Sequence, residues 1–183
     1  MSFSKQIHYY WLDYLTQLDR NPVTTKAITA SVISVLSDIT AQLLSGTRSI
    51  QSINTISLLH QAIIGLVIRG PIVHYWYIIL DKIFNKLGYN SKQQDNSTTI
   101  AIMKVLLDQT IFSIPFNALY FYAIGALENR TLEYTNNKLS NEFVTLMVAN
   151  WKIWPLVNIV NFKFIPANLR VLFGNFVGFL WGM

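Results

Sequence analysis

Residues 58–81 form an apolar stretch long enough to cross a bilayer, yet Arg69, Gly70 and Pro71 stand in its middle and His74, Tyr75, Trp76 and Tyr77 follow directly. A span of the hydrocarbon core takes about twenty mostly apolar residues, and an arginine near its centre is costly on every scale. Arg69 therefore belongs against a bundle interior. Pro71 has no N–H and disfavours helical geometry at Gly70, which leaves a carbonyl one turn back without its usual donor. The pair predicts a kink or break near the membrane midplane, tolerated only where neighbouring helices or water re-satisfy the backbone.

Only 13% of the 183 residues are charged, against roughly 25% in a soluble domain. Apolar residues come in long blocks, so the expected fold is all-α, a single multi-pass membrane domain over residues 1–183. The formal net charge is +5, but Lys and Arg are thinly spread and build no basic stripe, which argues against a nucleic-acid partner. With no cysteine, disulfides, thiolate nucleophiles and cysteine metal sites are excluded.

Along residues 1–20, Ile7, Tyr10, Trp11, Tyr14, Leu15 and Leu18 repeat at helical spacing. An interfacial amphipathic helix fits them better than an Arg-rich, acid-poor presequence, because Asp13 and Asp19 accompany the lone Arg20. Asn21 and Pro22 open a first span over about 22–46. Further spans are expected at about 58–81, 100–127 and 143–164, giving a bundle of four. An apolar helix over 167–183 follows, either a fifth span or a helix in the interface.

In the first span Ala27, Ser31, Ser34, Asp38, Ala41 and Ser45 form a small or polar stripe opposite Val32, Leu36 and Leu43. Small residues let helix backbones approach and hydroxyls bond across helices, so this stripe is the packing or water-facing side. Asp38 on it is either a structural ion-pair member or a pore-lining acid. Lys104 and Asp108 of the third span lie one turn apart and can pair with each other, with Gln109 beside them. In the fourth span Asn150, Trp154, Asn158 and Asn161 share a face, with Lys152 alongside. Asparagines inside a membrane need partners. Pro115 and Pro155 join Gly70 and Pro71 as expected helix breaks. Gly174, Gly178 and Gly182, at steps of four, give the last helix a face for close helix contact within the chain or in a homo-oligomer.

Catalytic chemistry finds little support. His8, His60 and His74 have no acidic neighbour at metal-ligand spacing, and there is no Gly-x-Ser-x-Gly elbow, Walker loop or Gly-x-Gly-x-x-Gly run. No enzyme, metal or cofactor is expected. His74 belongs either in a polar cavity with Arg69 or at the interface beside Trp76 and Tyr77.

Several blocks together resemble one family. They are Trp11-x-x-Tyr14-x-x-x-Leu18-x-x-Asn21-Pro22, Arg69-Gly70-Pro71 with His74-Tyr75-Trp76-Tyr77 and Leu80-Asp81, Asp108-Gln109-Thr110 with Pro115, and Asn150-Trp151-Lys152-x-Trp154-Pro155 leading to Asn161-Phe162, Pro166 and Arg170. Their order and spacing resemble the peroxisomal membrane protein two/four family, which includes the mitochondrial inner-membrane Mpv-seventeen protein. The resemblance runs over nearly the whole chain. It implies a small helical protein of peroxisomal or mitochondrial inner membranes that behaves as a weakly selective pore for small solutes. The chain departs from the family pattern at Trp181-Gly182-Met183, where members run on to Tyr-Leu-Ser, and at Asn158, where many have Gln.

Asp38, Arg69, Asp108, Lys152 and Arg170 are the family-matching ionisable positions within or at the edges of spans. Positive charge exceeds negative among them, so a water-filled path they line would favour small anions, as basic rings do. The rival expectation is a closed scaffold whose charges pair, for instance Asp38 with Arg69. Lys5, Arg20 and Lys26 lie near the start of the first span, and Lys82, Lys86 and Lys92 follow the second. By the positive-inside rule both regions face the cytosol or matrix. In sealed organelles, a tag after Lys92 and one at the N-terminus are expected to share one protease sensitivity; opposite behaviour rejects the assignment.

Overall fold

A computed structural model describes residues 3–44, 53–89 and 98–181. Its elements are α1 (Phe3–Arg20), α2 (Pro22–Leu44), α3 (Thr55–Lys86), α4 (Thr98–Leu127), α5 (Leu132–Phe164) and α6 (Arg170–Trp181), and no strand occurs among the described residues. By length and composition α2, α3, α4 and α5 can each cross a membrane. The chain is an all-α membrane bundle. α6 has 12 residues; at 1.5 Å each it covers about 18 Å, short of the ~30 Å hydrocarbon core.

The exposed face of the bundle is greasy, while its interior mixes polar and charged side chains with apolar ones. Ile28, Val32 and Leu36 of α2, Leu66 and Val67 of α3, Leu106 and Ile111 of α4, and Val148 and Leu156 of α5 point outward. Lys26, Lys104, Asp108 and Arg170 are buried. Such a distribution suits a lipid solvent, which welcomes apolar side chains and offers charges nothing. Along α1, Ile7, Tyr9, Tyr10, Trp11 and Leu12 are exposed while Leu18 is buried, as befits a helix at a headgroup boundary.

Caps extend two helices beyond their apolar parts. The Asn54 side-chain oxygen accepts from the Ile56 and Ser57 N–H groups at 3.1 and 3.2 Å, and the Thr131 hydroxyl accepts from the Tyr134 N–H at 3.2 Å. Each satisfies N–H groups that a helix start leaves open. The spans expected at 58–81 and 143–164 are thus parts of longer helices that continue into polar sequence.

None of Gly70, Pro71, Pro115 and Pro155 breaks its helix, contrary to the expectation from sequence. Ile64–Arg69 is a π-helical turn in which the Gly70 N–H donates to the Gly65 carbonyl. Asp108–Phe112 is a second, in which the Ser113 N–H donates to the Asp108 carbonyl. Each lies just upstream of a proline. A widened turn absorbs the missing N–H locally and lets the helix continue. Pro155 sits inside α5 with helix on both sides.

The first π turn also presents glycine to α2. A Cβ on Gly65 would lie 2.5 Å from Ser31 Cα, and one on Gly70 would crowd Ala27 Cα. Only hydrogen fits at either place. The Ser31 hydroxyl donates to the Ala62 carbonyl at 2.9 Å, and Ala27, Ala30 and Ser34 are buried on the same face. Ala41 is half-buried further along, and Ser45 lies outside the described residues. The glycines of α6 differ from the reading of their spacing. A Cβ on Gly174 would meet only the Tyr77 hydroxyl at 4.0 Å, and one on Gly178 the Trp154 ring at 3.8 Å. Within the chain they face the tips of aromatic side chains and meet no neighbouring backbone; Gly182 lies outside the described residues.

Leu80 and Phe84 of α3, Ile100, Ala101 and Val105 of α4, and Phe162 of α5 make one buried apolar cluster. It joins the end of α3, the start of α4 and the end of α5, so adjacent spans run antiparallel. Gly65→Ala is expected to destabilise the detergent-solubilised protein by about 1–3 kcal/mol through overpacking. Gly178→Ala has ordinary van der Waals room and should leave the unfolding temperature unchanged or slightly higher. Equal tolerance at both positions would refute the tight α2–α3 contact.

Candidate functional site

Beyond the apolar cluster the four helices α3, α4, α5 and α6 separate around a chamber of ≈ 370 Å³, a size typical of small-molecule sites, which run to roughly 300–1,000 Å³. Rings of Phe112, Phe116 and Trp154 form part of its wall. Polar groups come from every side: Arg69 and Tyr77 from α3, Asp108, Gln109 and Asn117 from α4, Asn150 and Asn158 from α5, and Asn175 from α6. Gly174 and Gly178 open onto the same space.

Arg69 ends the first π turn. Its Nη1 donates to Ser34 Oγ at 2.9 Å, and its guanidinium carbon lies 6.0 Å from the centroid of the Tyr120 ring. The expected pair with Asp38 is not formed. Asp38 lies one turn beyond Ser34 on α2, half-buried, and accepts from Gln42 Nε2 of its own helix at 3.0 Å. Arg69 thus lines the chamber with a hydroxyl and an aromatic face as its neighbours.

Asp108 opens the second π turn and is met by neutral donors alone. Trp76 Nε1 donates to Oδ1 at 2.7 Å, while Gln109 Nε2 and Asn158 Nδ2 donate to Oδ2 at 2.9 and 2.6 Å. Hydrogen bonds to an ionised acceptor are the strong ones, and here they link α3, α4 and α5 at one carboxylate. Lys104 does not pair with it. Although one turn away in sequence, Lys104 Nζ reaches across to Asp81 Oδ1 at 2.9 Å. A counter-charge on the facing helix wins over one on its own helix, whose oxygens are already taken.

Asp81 accepts a second cation. Arg170 Nη1 lies 3.3 Å from each of its oxygens, and Arg170 Nε donates to the Ile165 carbonyl at 3.3 Å. One carboxylate therefore fastens α3, α4 and α6 together beside the apolar cluster. Asn161 adds to this end, with Nδ2 donating to the Tyr77 hydroxyl at 3.1 Å and to the Arg170 carbonyl at 3.4 Å. Asn150 Nδ2 reaches Asn117 Oδ1 at 3.4 Å. The asparagine face of α5 thus bonds to α3, α4 and α6.

Of the polar candidates, Arg69, Asp108, Asn150 and Asn158 line the chamber, while Asp38, Lys104, Asn161 and Arg170 do not, and neither do His74 and Lys152. His74 is buried against α2, with Lys26 Nζ 3.0 Å from its Nδ1. It does not line the Arg69 chamber and is not an exposed interface residue. Lys152 is exposed on α5 next to exposed Trp151. Two residues past Asn150, its side chain lies about 200° around the helix, on the opposite face. It stands out of the bundle, against the expectation that every charge within a span turns inward; its long stem lets the ammonium reach toward the interface.

The chamber also uses residues that the sequence left unmarked. Asn117, Tyr120 and Asn175 sit singly in apolar runs, which is the signal that points to them; Lys26 lies close to the start of α2 and reads as an end-of-span charge. Tyr120 lines both the chamber and a wider cavity of ≈ 640 Å³ at the opposite end from Asp81, formed by residues such as Asn54, Ser57, His60, Glu128 and Lys138. Gln61 Nε2 donates to the Tyr120 hydroxyl at 3.1 Å, and that hydroxyl lies 3.4 Å from Gln61 Oε1. Tyr120 of this pair borders both spaces, and Gln61 the wider one.

Residues 125–183 match the Mpv17 / PMP22 family. Over 170 residues the chain is 36% identical to PXMP2/4 family protein 3 of Dictyostelium discoideum, covering 93% of this chain and 85% of that one. It is 34% identical over 172 residues to peroxisomal membrane protein PMP22 of Arabidopsis thaliana, covering 93% and 84% of the two chains. Mitochondrial inner membrane protein Mpv17 of Danio rerio is 28% identical over 171 residues, covering 93% of this chain and 92% of that one. No solved structure matches the chain.

Asp81→Asn is expected to destabilise the protein by about 3 kcal/mol, because it removes the carboxylate that two buried cations share. Lys152→Gln should change stability by less than about 0.5 kcal/mol, as an outward-facing substitution does. Thermal unfolding in one detergent measures both, and a reversed order would overturn the placement of these charges.

Proposed function

The chain belongs to the Mpv17/PMP22 family of organelle membrane proteins, and on that premise we propose that it is a weakly selective pore for small solutes in a peroxisomal or mitochondrial inner membrane. The observation that carries this reading is the chamber itself. A bundle that needed only to be stable would fill its middle with apolar side chains, since buried ionic groups are often no better for stability than well-packed hydrophobic ones. Here Arg69, Asp108, Asn150 and Asn158 border open space between helices whose outer faces are apolar. Polar side chains around a cavity at membrane depth are the usual mark of a solute path.

In this reading the chain catalyses no reaction and uses no cofactor; its partners are lipid and the solutes, and a second copy of itself is a further one. The chamber is closed toward the Asp81 end by the apolar cluster and by the carboxylate that holds Lys104 and Arg170. In this reading, passage requires those contacts to part. That same closure favours a second reading, a non-conducting scaffold whose intramembrane charges serve only to join helices.

Vesicle uptake separates the two. Liposomes carrying the purified protein are expected to take up small sugars faster than empty ones, and equal rates would reject the pore. In planar bilayers across a salt gradient, the reversal potential is expected to show a preference for anions that Arg69→Gln reduces. A preference for cations would reject the assignment of Arg69 to the path.

A further inference from the structure

We propose that the chamber is a binding site for a small hydroxylated organic monoanion of the sugar-acid class, with its acidic group on Arg69 and its distal hydroxyls on Gln109 and Asn175. The proposal deepens the pore reading, on which it rests for the route of entry. Its chemistry comes from the wall. Among the described residues no carboxylate lies within ion-pair distance of Arg69, and its hydrogen bond to Ser34 leaves further guanidinium N–H groups for an anion.

The other end of the chamber supplies a matched acceptor and donor. Gln109 is 8% exposed, and its Nε2 donates to Asp108 while its Oε1 has no partner. Asn175 is 7% exposed, and its Nδ2 has no partner. Unmet buried polar atoms are costly and rare. A ligand hydroxyl satisfies both kinds, donating to the Gln109 oxygen and accepting from the Asn175 amide.

Asp108 fixes the sign at that end. Its oxygens already accept from Trp76, Gln109 and Asn158, so a second acidic group on the ligand would meet a like charge there, whereas a neutral hydroxyl is not repelled. Length follows from α3. Arg69 and Tyr77 are two turns apart, about 12 Å of helix rise, and Tyr77 stands beside Gly174, the neighbour of Asn175. With the reach of the arginine side chain, an acyclic six-carbon acid spans that interval, and its C–H faces lie against Phe112, Phe116 and Trp154.

Four six-carbon compounds test this on the full-length protein in lipid nanodiscs by calorimetric titration: gluconate, adipate, hexanoate and glucitol. Gluconate is expected to bind saturably and at least about tenfold more tightly than the other three, the scale of one charge-assisted hydrogen bond. Arg69→Gln should weaken gluconate at least about tenfold, while Arg69→Lys keeps part of the affinity and guards against misfolding as the cause. Asn175→Leu should weaken gluconate and leave hexanoate unchanged. Gluconate binding no more tightly than adipate or hexanoate, or equally well to Arg69→Gln, overturns the site, as does the absence of saturable binding by any of the four. Gluconate binding without vesicle uptake would overturn the pore and keep the site; uptake without saturable binding would do the reverse.

Discussion

Hydrocarbon has no hydrogen bonds to offer, so a polar group carried between the ends of these helices is costly unless it finds a partner inside the bundle or reaches the interface. The arrangement around Asp108 shows how far that requirement reaches. Trp76, Gln109 and Asn158 come from three helices to meet one carboxylate, and moving α3 or α5 away from α4 would strip it of a donor. Asp81 does the same for cations, tying Lys104 and Arg170 to α3. Together with the apolar cluster beside it, Asp81 marks the level at which the bundle is closed. Past that level the walls part, and the groups exposed there are the ones a solute would meet.

The two π turns explain how prolines come to lie inside unbroken spans. In each, hydrogen bonding shifts to the fifth residue back before the proline arrives. An extra residue in a turn also rotates the upstream part of the helix by about 100° relative to the downstream part. Arg69 and Asp108 occupy the last and first places of these turns, so the phase shift bears directly on where the two charges point. The same widening sets Gly65 and Gly70 against the small stripe of α2, coupling the backbone defect to a close α2–α3 contact.

Much of this was legible in the sequence, and the limits are physical. Long apolar blocks give the spans, and a lone charge or amide within such a block marks Arg69, Asp108, Asn150 and Asn158 as residues that must face protein or water. Pairing is another matter. Spacing within one helix favours Lys104 with Asp108, but the choice depends on the facing helix, whose rotation a single chain of letters does not specify. Proline reads as a break because its cost is local, while the remedy, a π turn several residues upstream, leaves no compositional trace. Lys152 faces outward because its place on the wheel opposes the asparagine face, a phase argument that the sequence does contain. The Gly174 and Gly178 spacing is ambiguous in itself, since bare backbone serves a close neighbour or an open space equally well.

That last distinction governs the calibre of the chamber. Where α6 borders it, the wall at Gly174 and Gly178 is peptide with nothing projecting from it. A methyl group added there would narrow the chamber slightly while keeping ordinary contact distance to the Tyr77 hydroxyl and the Trp154 ring. The space left open in the chamber is thus set in part by one short helix, independently of the charged groups Arg69 and Asp108 on its other walls.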